Sequence, residues 1–486
     1  MAGRTPARNS RLKVSRSLIE GDGRAEYGGR AQPNVANGWL VRRRPAVEED
    51  KMQLEDLVLI SVDDHVVEPP SLGDFFRENL PAKYRDRAPK VIRRANGSDA
   101  WLIEGQEVAT FGLNAVQGRP AENWGSDPAS FDQVRPGCYD VHERIRDMNV
   151  NGVLASLNFP SWPGLGGQFF MKNDDHDYVA AMTRTYNDWM LHDWCGQYPG
   201  RFIPIGISGF MLGGEWMAGE IRRLADLGCH AVSCHPDGYR FGAPDYHGDE
   251  WDAAWQAADD TGSVMVFHFG GFPNFMPRTP FSVIPHAMPF QTAIFAGELL
   301  WSKIFRKFPN LRMALAEGGI GWIPYFLEKA DFVYDHHRAW TKEDFGDQLP
   351  SQVFRAHVQG CFIDDVTGLR NRDAIGIDTI TWECDYPHSD STWPTAPEVL
   401  WKAVQAADLD DEEIEKVSWA NAARWYQFDP FEHRPRSECT VGALRAQAAD
   451  VDTTPREYGE LDHTHKLAQG ANLFIGTSDM TKVAPD

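Results

Sequence analysis

Leu57-Val58-Leu59-Ile60-Ser61-Val62-Asp63-Asp64-His65-Val66-Val67-Glu68-Pro69-Pro70 is an apolar, β-branched run that stops in acid and imidazole. Its first six residues, Leu57–Val62, predict a buried strand. In extended backbone residues i and i+2 face the same way, so Asp63 and His65 can converge on one point. A carboxylate and an imidazole converging at a strand end suit a divalent metal. Glu68 adds a second carboxylate, with two readings open: a further ligand, or an anchor for backbone N–H groups at the following turn. A competing reading has Asp63 cap the helix opened by Pro69 and Pro70, with His65 simply packed.

Seven further runs of the same kind follow: Gly152–Asn158, Phe202–Ile207, His230–Cys234, Ser263–Phe269, Leu311–Ala316, Val358–Ile363 and Thr379–Glu383. Helical patterns separate them. Asp177 to Trp194 carries Tyr178, Met182, Tyr186 and Met190 at spacing four, a face that must be buried. A second helix from Glu220 carries Ile221, Leu224, Ala225 and Leu227 and stops at Gly228. Glu250–Ala258 and Trp322–Phe332 repeat the pattern. Eight strands alternating with helices predict an α/β fold, a (β/α)8 TIM barrel. The gap between the first two strands is too long for one crossover helix. It holds a predicted hairpin over Asp99–Thr110, within an insertion at about 90–140 on the face where the strands end. The expected organisation is a flexible tail over 1–52, the barrel over 53–432, and a C-terminal extension over 433–486 that wraps the barrel or a neighbouring subunit.

Three more strand tips repeat the chemistry of the first. Ser263–Phe267 runs into His268, followed by Gly270 and Gly271, which leave the imidazole open to approach. Leu311–Ala316 runs into Glu317, again followed by glycines; a helix-start anion is its other reading. Ile380–Glu383 leads to Cys384-Asp385-Tyr386-Pro387-His388, where Asp385 is a ligand and base or a helix cap. In a barrel such residues share one mouth. His235 ends the fourth strand, where it is expected to contact substrate or support a ligand, with a structural role as its other reading; His388, three residues past Asp385, is expected to support a ligand or face substrate. Trp322 is a candidate wall of an apolar substrate pocket, with core packing as its alternative, shared by Trp162 and Trp382. His286 falls in a loop able to reach the mouth, whereas His336 and His337 are expected in solvent or at an interface.

The formal net charge of -22 argues against a nucleic-acid or anionic-membrane partner, and 42% hydrophobic residues support a substantial core. No apolar stretch approaches the roughly 20 residues that span a bilayer. The seven scattered cysteines include no CxxC pair, which fits free thiols in a reducing cytoplasm. No secretory h-region is present in the Arg- and Ser-rich first fifty residues, so a cytoplasmic location is expected. There is no glycine-rich nucleotide fingerprint and no Gly-x-Ser-x-Gly elbow.

The Asp63-x-His65 start, the Cys384-Asp385-Tyr386-Pro387-His388 end and the closing segment Asn421–Tyr426 together resemble the amidohydrolase superfamily. The resemblance is to its amidohydrolase-related branch, which holds aminocarboxymuconate-semialdehyde decarboxylase and γ-resorcylate decarboxylase-like enzymes, and it covers roughly Leu57 to Phe428. It implies a barrel enzyme with a divalent metal (zinc, manganese or iron) on Asp63, His65, His268 and Asp385, a small-molecule substrate and a homo-oligomer, a dimer. One departure matters: decarboxylases of this branch carry a histidine where this chain has Glu317. A carboxylate donates no proton at neutral pH unless burial raises its pKa. The first expectation is therefore hydrolysis, a metal-activated water attacking the substrate with Asp385 or Glu317 as base. Non-oxidative decarboxylation is the alternative. So is dinuclear iron or manganese oxygenation, with Glu317 and Glu68 helping to hold a second ion.

Overall fold

The computed structural model describes residues 51–459, apart from 109–111, 113, 126, 171–172, 270–279 and 281. The expected N-terminal tail, the end of the C-terminal extension, Gly270, Gly271 and the last two residues of the predicted hairpin, Ala109 and Thr110, lie outside the described residues.

The strands in chain order are β1 (Ile60–Val66), β2 (Lys90–Arg93), β3 (Asp99–Ile103), β4 (Gln106–Val108), β5 (Ala155–Pro160), β6 (Phe202–Ile203), β7 (Ile205–Ile207), β8 (Ala231–Cys234), β9 (Val264–His268), β10 (Arg312–Ala316), β11 (Val358–Phe362) and β12 (Ile380–Trp382). One expected strand appears as β6 and β7, divided at Pro204, which has no N–H for a ladder. β1, β5 and β6 pair in parallel, and β7 to β12 pair in parallel in chain order. Just past β12 the backbone returns to β1: Asp385 N donates to Asp63 O and His65 N to Tyr386 O, each at 2.7 Å. These bonds join the last strand to the first, completing the eight-stranded (β/α)8 barrel.

Side-chain alternation explains how the strand tips are aimed. Val264 and Val266 belong to the inner cluster, Met265 and Phe267 to the outer one against the helices. His268 therefore continues the inward column of β9. On β12 Ile380 and Trp382 face outward, which turns Thr381, Glu383 and Asp385 toward the axis. β1 needs one extra device. Ile60 and Val62 are inner residues, yet odd-numbered Asp63 and His65 enter the site. The pairing with β5 shifts between Ser61 and Asp64, and that irregularity reverses the phase of the strand. β1 thus runs on through His65, so its ligands lie within the strand and not after it.

The helix expected from Asp177 is found as His176–Trp189, extended by a wider turn over Met190–Trp194, with Tyr178, Met182, Tyr186 and Met190 all buried. The insertion holds the expected hairpin as β3 and β4, plus a third antiparallel strand, β2. Its Trp101 ring stacks on Trp162 at 4.6 Å, which places Trp162 in the core. Further along, the insertion grips the loop beyond Asp385. Val116 N and Gln117 N donate to Pro387 O at 3.0 and 3.1 Å, and Gln117 Nε2 donates to His388 O at 2.7 Å.

The described part of the C-terminal extension wraps this same chain. Val441 N donates to Leu57 O, Arg456 N to Gly118 O, and Asp452 O accepts from Arg135. All seven cysteines are buried and unpaired. Among the described residues no helix is long and apolar enough to cross a membrane.

Candidate metal centre

Four buried side chains from three strand ends meet at the mouth. His65 Nε2 and His268 Nε2 lie 2.9 Å apart. Asp63 spans them, with Oδ1 3.5 Å from His65 Nε2 and Oδ2 3.4 Å from His268 Nε2. Asp385 Oδ1 lies 3.6 Å from His65 Nε2, and Glu317 Oε2 lies 3.8 Å from His268 Nε2.

These residues fit a divalent cation. Ligand atoms about 2.1 Å from one ion stand roughly 3.0–3.4 Å apart around it, close to the spacing found here. Both oxygens of Asp63 and Oδ2 of Asp385 are buried without a hydrogen bond, and a buried carboxylate left so is costly unless a cation takes up its charge. Burial, then the neighbouring His388, holds the His65 imidazole far below its usual pKa and that of His268 down to about 3, so both rings offer lone pairs. Imidazole and carboxylate together suit zinc, manganese or iron. The two three-residue ligand groups, Asp63–His65–His268 and His65–Asp385–His388, share His65.

Burial dominates the acids. It pushes Asp63 well above the usual carboxylate range, and Glu383, Glu317 and Asp64 add repulsion. Asp385 is raised by burial and then by Asp63. The Glu317 carboxyl is raised well above its usual value by burial, then by the charge of Asp385.

The remaining candidates divide. Glu68 is turned away from the cluster: Oε1 accepts from Ser161 N at 3.0 Å and Tyr186 Oη at 2.8 Å, and Oε2 from Trp162 N at 3.1 Å. It anchors backbone amides, but those of Ser161 and Trp162 just past β5 and not those of the turn that follows it in sequence. His388 stands at the site, its Nδ1 2.9 Å from Asp385 Oδ1 and its ring stacked 3.8 Å from that of His65. His235 is buried, and burial lowers its pKa to about 4. Its Nδ1 accepts from Asp237 N at 3.0 Å, which leaves the proton on Nε2 as a donor. Trp322 packs against Phe326 and Phe354, and its Nε1 donates to Gly318 O and Gly319 O at 3.0 Å. It stiffens the loop behind Glu317. His286 is exposed on a helix, Val283–Trp301, and not in a loop at the mouth; His336 is exposed and His337 half-buried on the helix Ile323–Thr341.

Sequence reasoning missed three contributors. Arg144, fully buried, donates from Nη2 to His65 O and from Nε to Gly137 O at 2.6 Å, fixing the backbone of a metal-facing residue. Asp64 Oδ1 accepts from Ser61 Oγ at 2.9 Å and Tyr386 N at 3.1 Å, tying β1 to the loop after β12. Glu383 sits behind the cluster; its position two residues before Asp385 on an inward-facing strand was the available signal.

A barrel carrying two imidazoles and two carboxylates poised for one cation at its mouth defines a metal-dependent enzyme barrel. The amidohydrolase family model matches residues 128–428, and the chain belongs to that family. It is similar to an amidohydrolase from Mycobacterium avium subsp. paratuberculosis (16% identity, 76% of this chain and 99% of that one, TM-score 0.56). It is also similar to the apo IDCase of Metarhizium anisopliae (18% identity, 78% of this chain and 99% of that one, TM-score 0.56). A third likeness is to a 5-carboxyvanillate decarboxylase from Novosphingobium aromaticivorans, solved with manganese and 3-methoxy-4-hydroxy-5-nitrobenzoic acid (19% identity, 78% of this chain and 99% of that one, TM-score 0.53).

Proposed function

We propose that this amidohydrolase-family enzyme is a non-oxidative decarboxylase of a small aromatic carboxylic acid. One observation carries the reading: the Glu317 carboxyl, largely withdrawn from solvent, stands 3.8 Å from His268 Nε2, where burial and then the charge of Asp385 favour its protonated form. A glutamate in place of the branch's histidine is compatible with this reading, because burial favours the carboxyl's protonated form. The likeness to a decarboxylase solved with a nitrobenzoic acid supports the reading, and its manganese favours that ion.

Asp63, His65, His268 and Asp385 would hold the cation, which when bound supplies positive charge that neutralises the substrate's anionic oxygens. His235 Nε2–H offers a hydrogen bond to a substrate oxygen. A proton passes from the Glu317 carboxyl to the ring carbon bearing the carboxylate. The bond from that carbon to the carboxylate then breaks, its electron pair returns to the ring, and CO2 leaves. Glu317 regains its proton from solvent.

The test is a panel of hydroxybenzoic acids with manganese-loaded enzyme in D2O, following CO2 and deuterium at the vacated carbon. Release of CO2 with one deuterium incorporated is the expected result. Cleavage of esters or amides with no CO2 from any acid would return the reading to hydrolysis. We also carry the homodimer forward as a proposal, supported by Phe290, Ile294, Tyr325 and Phe332, exposed on the helices Val283–Trp301 and Ile323–Thr341.

A further inference from the structure

Glu317 takes a backbone conformation that glutamate rarely adopts, with φ at +55°. The segment that follows is pinned on two sides. Trp322 Nε1 holds the carbonyls of Gly318 and Gly319, and Asp365 Oδ2 accepts from Ile320 N at 2.9 Å and Gly321 N at 2.6 Å. The amide of Glu317 itself is held from a different strand. It donates to Oε2 of Glu383 at 3.3 Å, and the same oxygen accepts from the Cys361 thiol. Cys361 Sγ also lies 3.3 Å from Leu315 O on β10, so the thiol bridges β10 and the Glu383 carboxylate.

Glu383 is buried, and its own N donates to Phe362 O at 3.0 Å, which fixes its backbone to β11. A third carboxylate this close to Asp63 and Glu317 is an expensive choice for a barrel interior, where an apolar residue would pack without penalty. What the carboxylate gains there is a grip on the Glu317 amide and on the Cys361 thiol. We propose that Glu383 is a positioning residue that sets the backbone of Glu317 and so aims the Glu317 carboxyl at the His268 side of the site, with Cys361 orienting Glu383. The proposal rests on the reading of Glu317 as the proton donor.

Glu383→Ala removes the acceptor, whereas Glu383→Gln keeps an oxygen for the Glu317 amide. Crystal structures of both manganese-loaded variants give the first readout. Expected are a displaced Glu317 carboxyl in the alanine variant, the native 3.8 Å approach to His268 in the glutamine variant, and manganese in both. The second readout is decarboxylation, with kcat falling on the order of 100-fold in Glu383→Ala, as misplacement near 1 Å allows, and KM unchanged. Glu383→Gln should recover most of that loss. An unmoved Glu317 in Glu383→Ala would overturn the proposal, as would loss of manganese from both variants, which would make Glu383 part of the metal's support. If Glu317 moves as expected but wild-type enzyme decarboxylates nothing, the reaction is wrong and the positioning stands.

Discussion

Replacing Asp63 with asparagine should abolish metal stabilisation and yet leave the metal-free protein at least as stable as before. Asp63 is fully buried, neither oxygen has a hydrogen bond, and Glu383, Glu317 and Asp64 all repel its charge. Without a cation it is a liability; with one it bridges toward both imidazoles. For wild type at 100 times Kd of Mn2+, linkage adds about 2.7 kcal/mol of stability. The described body has roughly 400 residues, and at about 2.1 cal/mol/K per residue its unfolding entropy is about 0.8 kcal/mol/K, so Tm should rise by about 3 °C. Scanning calorimetry of chelated and manganese-titrated protein, with metal analysis of the same samples, measures this directly. Asp63→Asn should show no metal-dependent rise and a metal-free Tm equal to or above that of metal-free wild type. An equal rise in the variant would refute the assignment of Asp63 as a ligand. A metal-free Tm several degrees lower would refute the account of its burial.

Three other outcomes follow from the same structure. Burial raises Asp64 from 3.8 to about 6, so its contribution to folding is full below pH 3.8 and is lost as pH climbs to about 6, some 3 kcal/mol in all. Asp64→Asn keeps an oxygen for Ser61 and Tyr386 and should remove that loss, seen as a smaller stability difference between pH 4 and 7 in urea titrations of chelated protein; an unchanged difference would count against it. Glu68→Gln should lower stability by about 1–3 kcal/mol, since an amide NH2 would then face one of three donors, but leave metal content unchanged by elemental analysis. Gly137→Ala would put a Cβ 2.0 Å from Asp147 Oδ2, the oxygen held by Arg135 at 2.8 Å and Tyr386 at 2.6 Å. Thermal denaturation should show a loss of about 3 kcal/mol or more, the usual result of breaking a buried pair.

The barrel could be read because period-2 and helical patterns are local. Val264–Val266–His268 and Thr381–Glu383–Asp385 each declare their inward face within five residues. The same logic runs out where the phase changes. Nothing in Ile60-Ser61-Val62-Asp63 announces the register shift that turns Asp63 and His65 inward together with Ile60 and Val62. β2 escaped notice because Lys90-Val91-Ile92-Arg93 lies on a half-exposed edge with polar ends, where strand patterning is weak. Glu68 was ambiguous for a different reason: a carboxylate near a ligand pair looks the same in sequence whether it meets a metal or two amides and a phenol. Only the third dimension supplies Ser161, Trp162 and Tyr186, about 93 to 118 residues away. The role of Glu317 turned on burial, a property of the assembled barrel that no short window contains.

The two residues that carry the proposed chemistry share a further trait that sequence conceals. Glu317 and Asp385 both have positive φ, at 55° and 57°. For a glutamate in particular such backbone costs about 1–3 kcal/mol and persists only where surroundings over-determine it. Each is secured by a partner distant in the chain: the amide of Asp385 by the carbonyl of Asp63 on β1, the amide of Glu317 by the carboxylate of Glu383 beyond β12. The bond that closes the barrel therefore also orients a metal-facing acid, and the carboxylate that crowds Asp63 also aims the proton donor. Closure of the fold and assembly of the site are one event, so a variant that loosens the β1–β12 seam should lose metal affinity before it loses secondary structure. Circular dichroism paired with Mn2+ titration of a Ser61→Ala variant, which removes the Oγ contact to Cys384 N at 2.8 Å, would show the order. Secondary structure lost at or before the drop in metal affinity would break the link between seam and site.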